Sequence, residues 1–477
     1  MARVAAFWIG VLCACSKLAG AGKNHVLEQK VDAIFAAYEN PGSPGCAIGI
    51  VENGDFIYKR GYGMGSLELQ VPLSPESVFY MGSVSKQFTA ASVVLAAEQG
   101  YLSLDDDLHK WIPEIPSYGH PITLREMLHH TSGLRDEIGL MTLAGDPVEN
   151  IHTTQEIIQL IARQKKLNFN PGDEYQYSNS NYFLLAEIVH RATRVPFSQF
   201  AEENIFQRLG MVHTRFYDDR TLVLPGRVPG YSAREGGGFS VDWSTNFAKV
   251  GDGGLMSSVD DLLLWDRNFY ANKLGKGTLL QELQTRGVLN NGKTIHYALG
   301  LQMTEYRGLP VVEHGGALFG YRTELLRFPK QKFSVICLCN VANADPGGKA
   351  HQIADIYLAG LFTEPAKSAT PHPAEVRSVP PAHVNGAELA EYVGDYYSDE
   401  LLATYSIRMA DDKLNLTIGR NKPIELRPDQ HDQFRTNLAG DFGEPLIIRF
   451  KRNAGMLSGF DLAAPEDGVR DIEFVRK

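Results

Sequence analysis

Ser83-Val84-Ser85-Lys86 opens an apolar run from Phe88 to Ala97 that reads as a helix stopping at Gly100. A serine hydroxyl is a poor nucleophile at neutral pH and needs an unprotonated base within hydrogen-bond reach. On a helix, residues i and i+3 share a face with Cβ atoms roughly 5–6 Å apart, so Lys86 can reach back to the Ser83 hydroxyl. The helix N-terminus adds partial positive charge that favours a developing anion. The tetrapeptide by itself is also what a solvated helix start looks like, so other segments must decide.

Two segments can complete such a pair. Tyr177-Ser178-Asn179 lies in a polar loop led by Pro171-Gly172, ahead of an apolar helix around Phe183 to Ala192. A tyrosine there can relay protons if a neighbouring cation lowers its phenol from ~10. Asn179 can bind a substrate carbonyl or orient Lys86. His314-Gly315-Gly316 stands at the end of a strand from Pro310 to Glu313. Its glycines let a substrate backbone come close, and the Ala317 amide offers an oxyanion donor beside that of Ser83. Each segment alone has a plainer reading: a turn with a packed tyrosine, and a turn histidine.

In order and spacing the three motifs, Ser-x-x-Lys, Tyr-x-Asn and His-Gly-Gly, resemble the serine β-lactamase and penicillin-binding-protein superfamily. The resemblance is strongest to its class C β-lactamase, D,D-carboxypeptidase and D-aminopeptidase branch. Leu128 to Leu134, Gly253 to Ser258 and Pro44 to Ile48 look like the same family, so the likeness covers roughly residues 25–362. It implies an α+β fold in which an antiparallel sheet flanked by helices meets a helical subdomain, with the site between them. It also implies Ser83 as the acylated nucleophile, Lys86 as its proton partner and Tyr177 as general base or acid. Asn179, His314, Gly315, Gly316 and Ala317 would bind substrate, with no cofactor and no metal. His129 and His130 fall on different faces of a helix and read as structural.

His314 departs from the pattern, because β-lactamases of this kind usually carry a lysine there that helps hold a carboxylate. A neutral imidazole does this less well. The resemblance therefore points to an amide or peptide hydrolase of the D-aminopeptidase type, acting on small peptides that can contain D-residues. Carboxylesterase or weak β-lactamase activity is the alternative. A non-catalytic binding or sensor protein is a further one, opposed by the presence of all three motifs.

Working outward, Val31, Ile34, Phe35 and Tyr38 form an i, i+3, i+4, i+7 stripe, an amphipathic helix ending near Asn40-Pro41-Gly42. Cys46–Val51 and Phe56–Arg60 around Asn53-Gly54 read as a hairpin. Pro310–Glu313, Tyr321–Phe328 and Phe333–Val341 read as strands, and a helix around His351–Phe362 follows. Early hairpin and late strands can share one sheet, with the middle as a helical insertion. Prolines 365, 371, 373, 380 and 381 mark a semi-rigid linker. Beyond it, alternating runs such as Tyr405–Met409 and Leu446–Phe450 predict an all-β domain, a small lipocalin-like barrel or a sandwich. The expected divisions are a signal peptide at 1–21, the hydrolase domain at 22–364, the linker at 365–384 and the β-domain at 385–477.

The 477 residues suit two or three domains, and 44% apolar with 21% charged residues is ordinary for a globular protein. A net charge of −10 without a basic run gives nucleic acid no purchase. Arg3, the apolar stretch Val4–Ala14 and Ala19-Gly20-Ala21 read as an export signal, predicting a periplasmic or secreted protein that meets cell-wall fragments. Leu12-Cys13-Ala14-Cys15 resembles a lipoprotein box, so membrane contact is expected only if Cys15 is lipidated. Cys46, Cys337 and Cys339 lie in strand-like runs and read as buried, inert thiols; a bridge from Cys46 to one of the others requires their strands to pair. Gly287 to Thr294 matches the P-loop pattern in letters, but helix-like Leu279–Arg286 precedes it. Asn291-Gly292 reads as a hairpin turn into strand-like Thr294–Gln302, so nucleotide binding is set aside.

Overall fold

Phe333–Cys339 is buried at every residue and Cys46–Glu52 at all but its last, the burial of strands covered on both faces rather than one. The computed structural model describes residues 25–147, 150–242, 249–365, 386–436 and 445–477. Strands β1 (Cys46–Glu52), β2 (Asp55–Tyr62), β3 (Gln302–Tyr306), β4 (Leu309–Leu318), β5 (Tyr321–Phe328) and β6 (Phe333–Cys339) form one antiparallel sheet in the order β3-β4-β5-β6-β1-β2. Helix α1 (residues 25–35) and helix α5 (Pro346–Tyr357) cover one face, where Val31, Phe35 and Ile353 pack with Ile48, Ile50 and Val335. Ala47, Val51, Leu325 and Leu338 pack on the other face with the helical region. The described α+β domain is thus the β-lactamase-like one that the motifs implied.

Helix α2 (Ser85–Glu98) runs through the middle of that second core with every residue from Ser85 to Ala96 buried. Several of its polar side chains are held by hydrogen bonds: Ser85 Oγ donates to the Gly82 carbonyl, Thr89 Oγ1 to that of Gly251, and Gln87 Oε1 accepts from Trp265 Nε1. Helices α3 (Glu137–Leu143) and α4 (Asn179–Thr193) belong to the helical region, and α4 packs on α2. Among the described residues no helix is long and apolar enough to cross a membrane.

Some expectations change. Ser83 lies in the 3-10 turn Gly82–Val84 that leads into α2, not in the helix itself. Strand β4 does not end at Glu313 but runs through His314-Gly315-Gly316 to Leu318, because Arg322 to Leu325 on β5 pair with it there. Thr294–Gln302 is held by isolated bridges, and the strand begins only at Gln302. The P-loop-like letters form a turn closed by Gly292 N–H on the Leu289 carbonyl. Cys46 and Cys339 are not inert thiols: β1 and β6 pair so that the two are directly opposite, and they are joined in a disulfide. Cys337 stays reduced and buried. The signal segment, Cys15 and nearly all of the linker lie outside the described residues.

The C-terminal strands β7 (Gly394–Ser398), β8 (Ala403–Ala410), β9 (Lys413–Ile418), β10 (Ile424–Gln430), β11 (Gln433–Thr436), β12 (Ile447–Asn453), β13 (Met456–Ala464) and β14 (Val469–Arg476) close into a barrel. Alternate residues such as Tyr405, Ile407, Leu416, Phe460 and Phe474 fill it. The barrel docks on the helical region. Leu140 and Leu143 of α3 join its core, and Tyr405 Oη donates to the Leu143 carbonyl at 2.7 Å. The Arg135 guanidinium is paired with Glu400 at 2.6 Å, both 1–2% exposed.

Candidate active site

Lys86 projects from the first turn of α2, and its Nζ lies 3.0 Å from Ser83 Oγ. It also donates to Asn179 Oδ1 at 2.8 Å and to the Asp252 carbonyl at 2.7 Å. These three acceptors leave the buried ammonium no freedom to point elsewhere. Burial, helped by the charge of Lys249, lowers the Lys86 amine to about 8 against the pull of Asp252, Glu137 and Asp136. Lys249 itself is buried in an ion pair with Glu137 and lies 2.8 Å from Asp252 Oδ2, so the carbonyl that holds Lys86 is anchored from behind.

Tyr177 faces the same serine. Its ring lies 4.8 Å from Lys86 Nζ and its hydroxyl interacts with Ser83 without closing a full hydrogen bond. Loose contacts of this sort in a free enzyme tighten when substrate arrives. Burial holds the phenol well above its usual value. The tyrosine is held by its surroundings: His130 packs on it with ring centres 4.3 Å apart, and His130 Nδ1 accepts the Ser178 N–H. Asp136 caps α3 with one carboxylate oxygen and takes the Asn179 N–H with the other. The barrel reaches this turn as well, since the Pro465 carbonyl accepts from Gln176 Nε2 and the Gly468 carbonyl from the Asp136 N–H and Asn168 Nδ2.

The nucleophile turn meets β4 at a separation that only glycine permits. A Cβ on Gly316 would stand 2.1 Å from the Met81 carbonyl oxygen. Gly82 has a φ of +53°, and a Cβ on it would stand 2.7 Å from the Ala317 nitrogen. The Ala317 amide is thereby brought beside Ser83, where an oxyanion donor is needed. Beyond Glu313 the strand extends past the end of its pairing with β3, leaving residues 314–318 as the rim of the cleft.

His314 lines the cleft at 3% exposure, with both ring nitrogens engaged. Nδ1 is 2.7 Å from the Gly315 carbonyl, which can only accept, so that nitrogen carries the proton; Nε2 then accepts from Tyr297 Oη at 3.0 Å. Burial and the charge of Lys86 hold the imidazole down at about 4, hence neutral. It braces the rim and offers no charge to a carboxylate.

All the residues chosen from sequence therefore converge here. A cleft of about 520 Å³ contains Ser83, Tyr177, His314, Gly315, Gly316 and Ala317 in its lining, and Asn179 reaches it through Lys86. Tyr297, the Lys249–Glu137–Asp252 group and Glu324 were not found by sequence reasoning, and His130 was read only as structural. The motif from Leu128 to Leu134 was a pointer to His130, and Asp252 precedes the family-like Gly253-Gly254. Among the described residues, the sulfurs of Cys46, Cys337 and Cys339 are the one close set of potential metal ligands, and two of them are bonded to each other.

The β-lactamase family signature matches residues 28–358. A D-aminopeptidase of Gluconobacter oxydans (strain 621H) is 29% identical over 344 residues, 72% of this chain and 63% of that protein. Penicillin-binding protein 4* of Bacillus subtilis (strain 168) is 28% identical over 403 residues, 80% of this chain and 86% of that one. The octameric penicillin-binding protein homologue from Pyrococcus abyssi superposes with a TM-score of 0.62 at 22% identity, covering 96% of this chain and 100% of that chain. The chain belongs to the β-lactamase family. It spans about three-fifths of the length of the curated D-aminopeptidases that it matches.

Proposed function

We propose that the protein is an exported amidase or aminopeptidase that works through an acyl-enzyme on Ser83. The observation that carries this is the 3.0 Å approach of Lys86 Nζ to Ser83 Oγ, by an amine that burial brings to about 8. In that reading the neutral Lys86 amine takes the Ser83 proton as Oγ attacks the substrate carbonyl. The oxyanion forms against the Ser83 and Ala317 amides. The proton passes by way of the Tyr177 hydroxyl to the leaving nitrogen, the C–N bond breaks, and the amine departs. Water then attacks the ester by the reverse route, giving its proton to the same pair and releasing the acid and free Ser83.

Small amides and peptides are the substrate class, D-residues included, supported by the kinship with D-aminopeptidases. Neutral His314 argues against efficient β-lactam turnover. Export is supported by the Arg3–Ala21 pattern and by a disulfide, a bond that persists in oxidising compartments. There, cell-wall peptides are the available substrates, and a lipid on Cys15 would be a tether. A chromogenic panel of D-alanyl-p-nitroanilide, its L-isomer, p-nitrophenyl acetate and a cephalosporin tests the reading, each ranked by acceleration over spontaneous hydrolysis. We expect the D-anilide first and the cephalosporin last. The ester in first place would make the protein a carboxylesterase, and the cephalosporin in first place would refute the argument from His314.

A further inference from the structure

The cleft wall across the β4 rim from Ser83 is acidic. Glu324 on β5 is paired in register with Gly315, and its carboxylate lies beneath two glycines of the cleft lining. A Cβ at Gly315 would stand 3.0 Å from Glu324 Oε2, and one at Gly347 3.3 Å, so the missing side chains are what leave space above Oε2 on the cleft side. Glu324 is 7% exposed, and its Oε1 has no hydrogen-bond partner among the described residues. A buried acid without a partner is costly, and such groups in folded proteins are rare enough to need a reason. Asp345, at the N-cap of α5, stands on the same wall.

Among the described residues the cleft lining contains one cation, Arg322, whose guanidinium donates to the Phe319 and Tyr321 carbonyls at 2.8 and 2.7 Å. A substrate cation entering here meets a carboxyl group whose Oε1 has no hydrogen-bond partner among the described residues, with Asp345 on the same wall. Burial, with Glu313 and Asp345 nearby, pushes the Glu324 carboxyl up to about 8 in the free protein. A bound cation would reverse that shift.

We propose that Glu324, assisted by Asp345, is the recognition site for an ammonium group of the substrate, which makes this cleft selective for cationic substrates. The inference rests on the acyl-enzyme reading and adds to it the charge of the substrate. It is tested with substrate pairs of matched shape that place charge on one side of the scissile bond at a time. Alanyl against propionyl p-nitroanilide charges the acyl side, and 3-trimethylammoniophenyl against 3-tert-butylphenyl acetate charges the leaving group. Wild type is expected to favour the cationic member of at least one pair by about tenfold in kcat/KM, chiefly through KM. Glu324→Gln should bring that ratio to about one, and Asp345→Asn, an exposed change with little bearing on folding, should lower it about threefold.

A ratio near one in wild type would overturn the proposal, as would a ratio unaffected by both substitutions. Because each ratio is taken within one enzyme preparation, partial loss of folded Glu324→Gln protein does not disturb it. Absence of turnover of every pair, together with failure of a fluorophosphonate to label Ser83, would instead bring down the acyl-enzyme reading and this inference with it.

Discussion

Lys86 is asked to be cationic enough to hold Asn179 and the Asp252 carbonyl, yet neutral often enough to take a proton from Ser83. Burial supplies the compromise at about 8. Since the neutral amine is the working form, kcat/KM should fall about tenfold per unit as pH drops below that value and level off above it. A profile flat from pH 6 to 9 would remove Lys86 as the base. Lys86→Ala should lower kcat/KM by about 10²–10⁴-fold, and Lys86→Arg should restore none of it, because a guanidinium does not give up its proton. Steady-state kinetics with the D-anilide measure both. At this scale the letters of the chain were informative where the geometry is local, as for Ser83 and Lys86 three residues apart. Tyr297 meets His314 across a sequence separation of 17 that spans the β3–β4 hairpin, and Glu324 finds Gly315 only through strand pairing, so neither had a signature in the sequence. An acid in the middle of the strand-like run Tyr321–Phe328 was the one hint.

The elements that matter most to the site are β4 and the turn from Gln176 to Asn179. Gly316→Val would put side-chain carbon into the Met81 carbonyl and force the nucleophile turn away from Ala317. The expected result is near-total loss of acylation at a stability cost of about 1–3 kcal/mol, separable by comparing labelling rate with thermal denaturation. Glu400→Ala strips Arg135 of its buried partner and also leaves the Lys165 and Glu473 amides without their acceptor. It should destabilise the protein by about 3–5 kcal/mol, read as a lower midpoint in urea. The apolar runs made β1, β5 and β6 readable from sequence. The extension of β4 through His314 was not, because glycines ordinarily end strands and only the partner strand β5 overrides that tendency. Barrel and sandwich share the same alternation, so closure of the β-domain had to come from the order of its strands.

Across the whole molecule, one sheet gathers chain segments nearly 300 residues apart, and the Cys46–Cys339 bond ties them with a sequence separation of 293. Cys46→Ser should cost about 2–4 kcal/mol, and the same loss should appear in wild type under a reductant. Equal denaturation midpoints with and without reductant would show the bond to be absent in solution. That bond could not be read from sequence, because three cysteines in strand-like runs say nothing about which strands lie side by side. The barrel packs on the same helical region that carries Tyr177 and Asp136, so its tip at Pro465–Gly468 is part of the scaffold of the site.

The central claim is that Ser83 is the residue acylated. The most direct test is intact-mass measurement after treatment with a fluorophosphonate. Wild type should gain the mass of one adduct, mapped to the peptide containing Ser83; Ser83→Ala should gain none, and Lys86→Ala should gain it far more slowly. An unlabelled wild type, or an adduct that persists in Ser83→Ala, would contradict the mechanism.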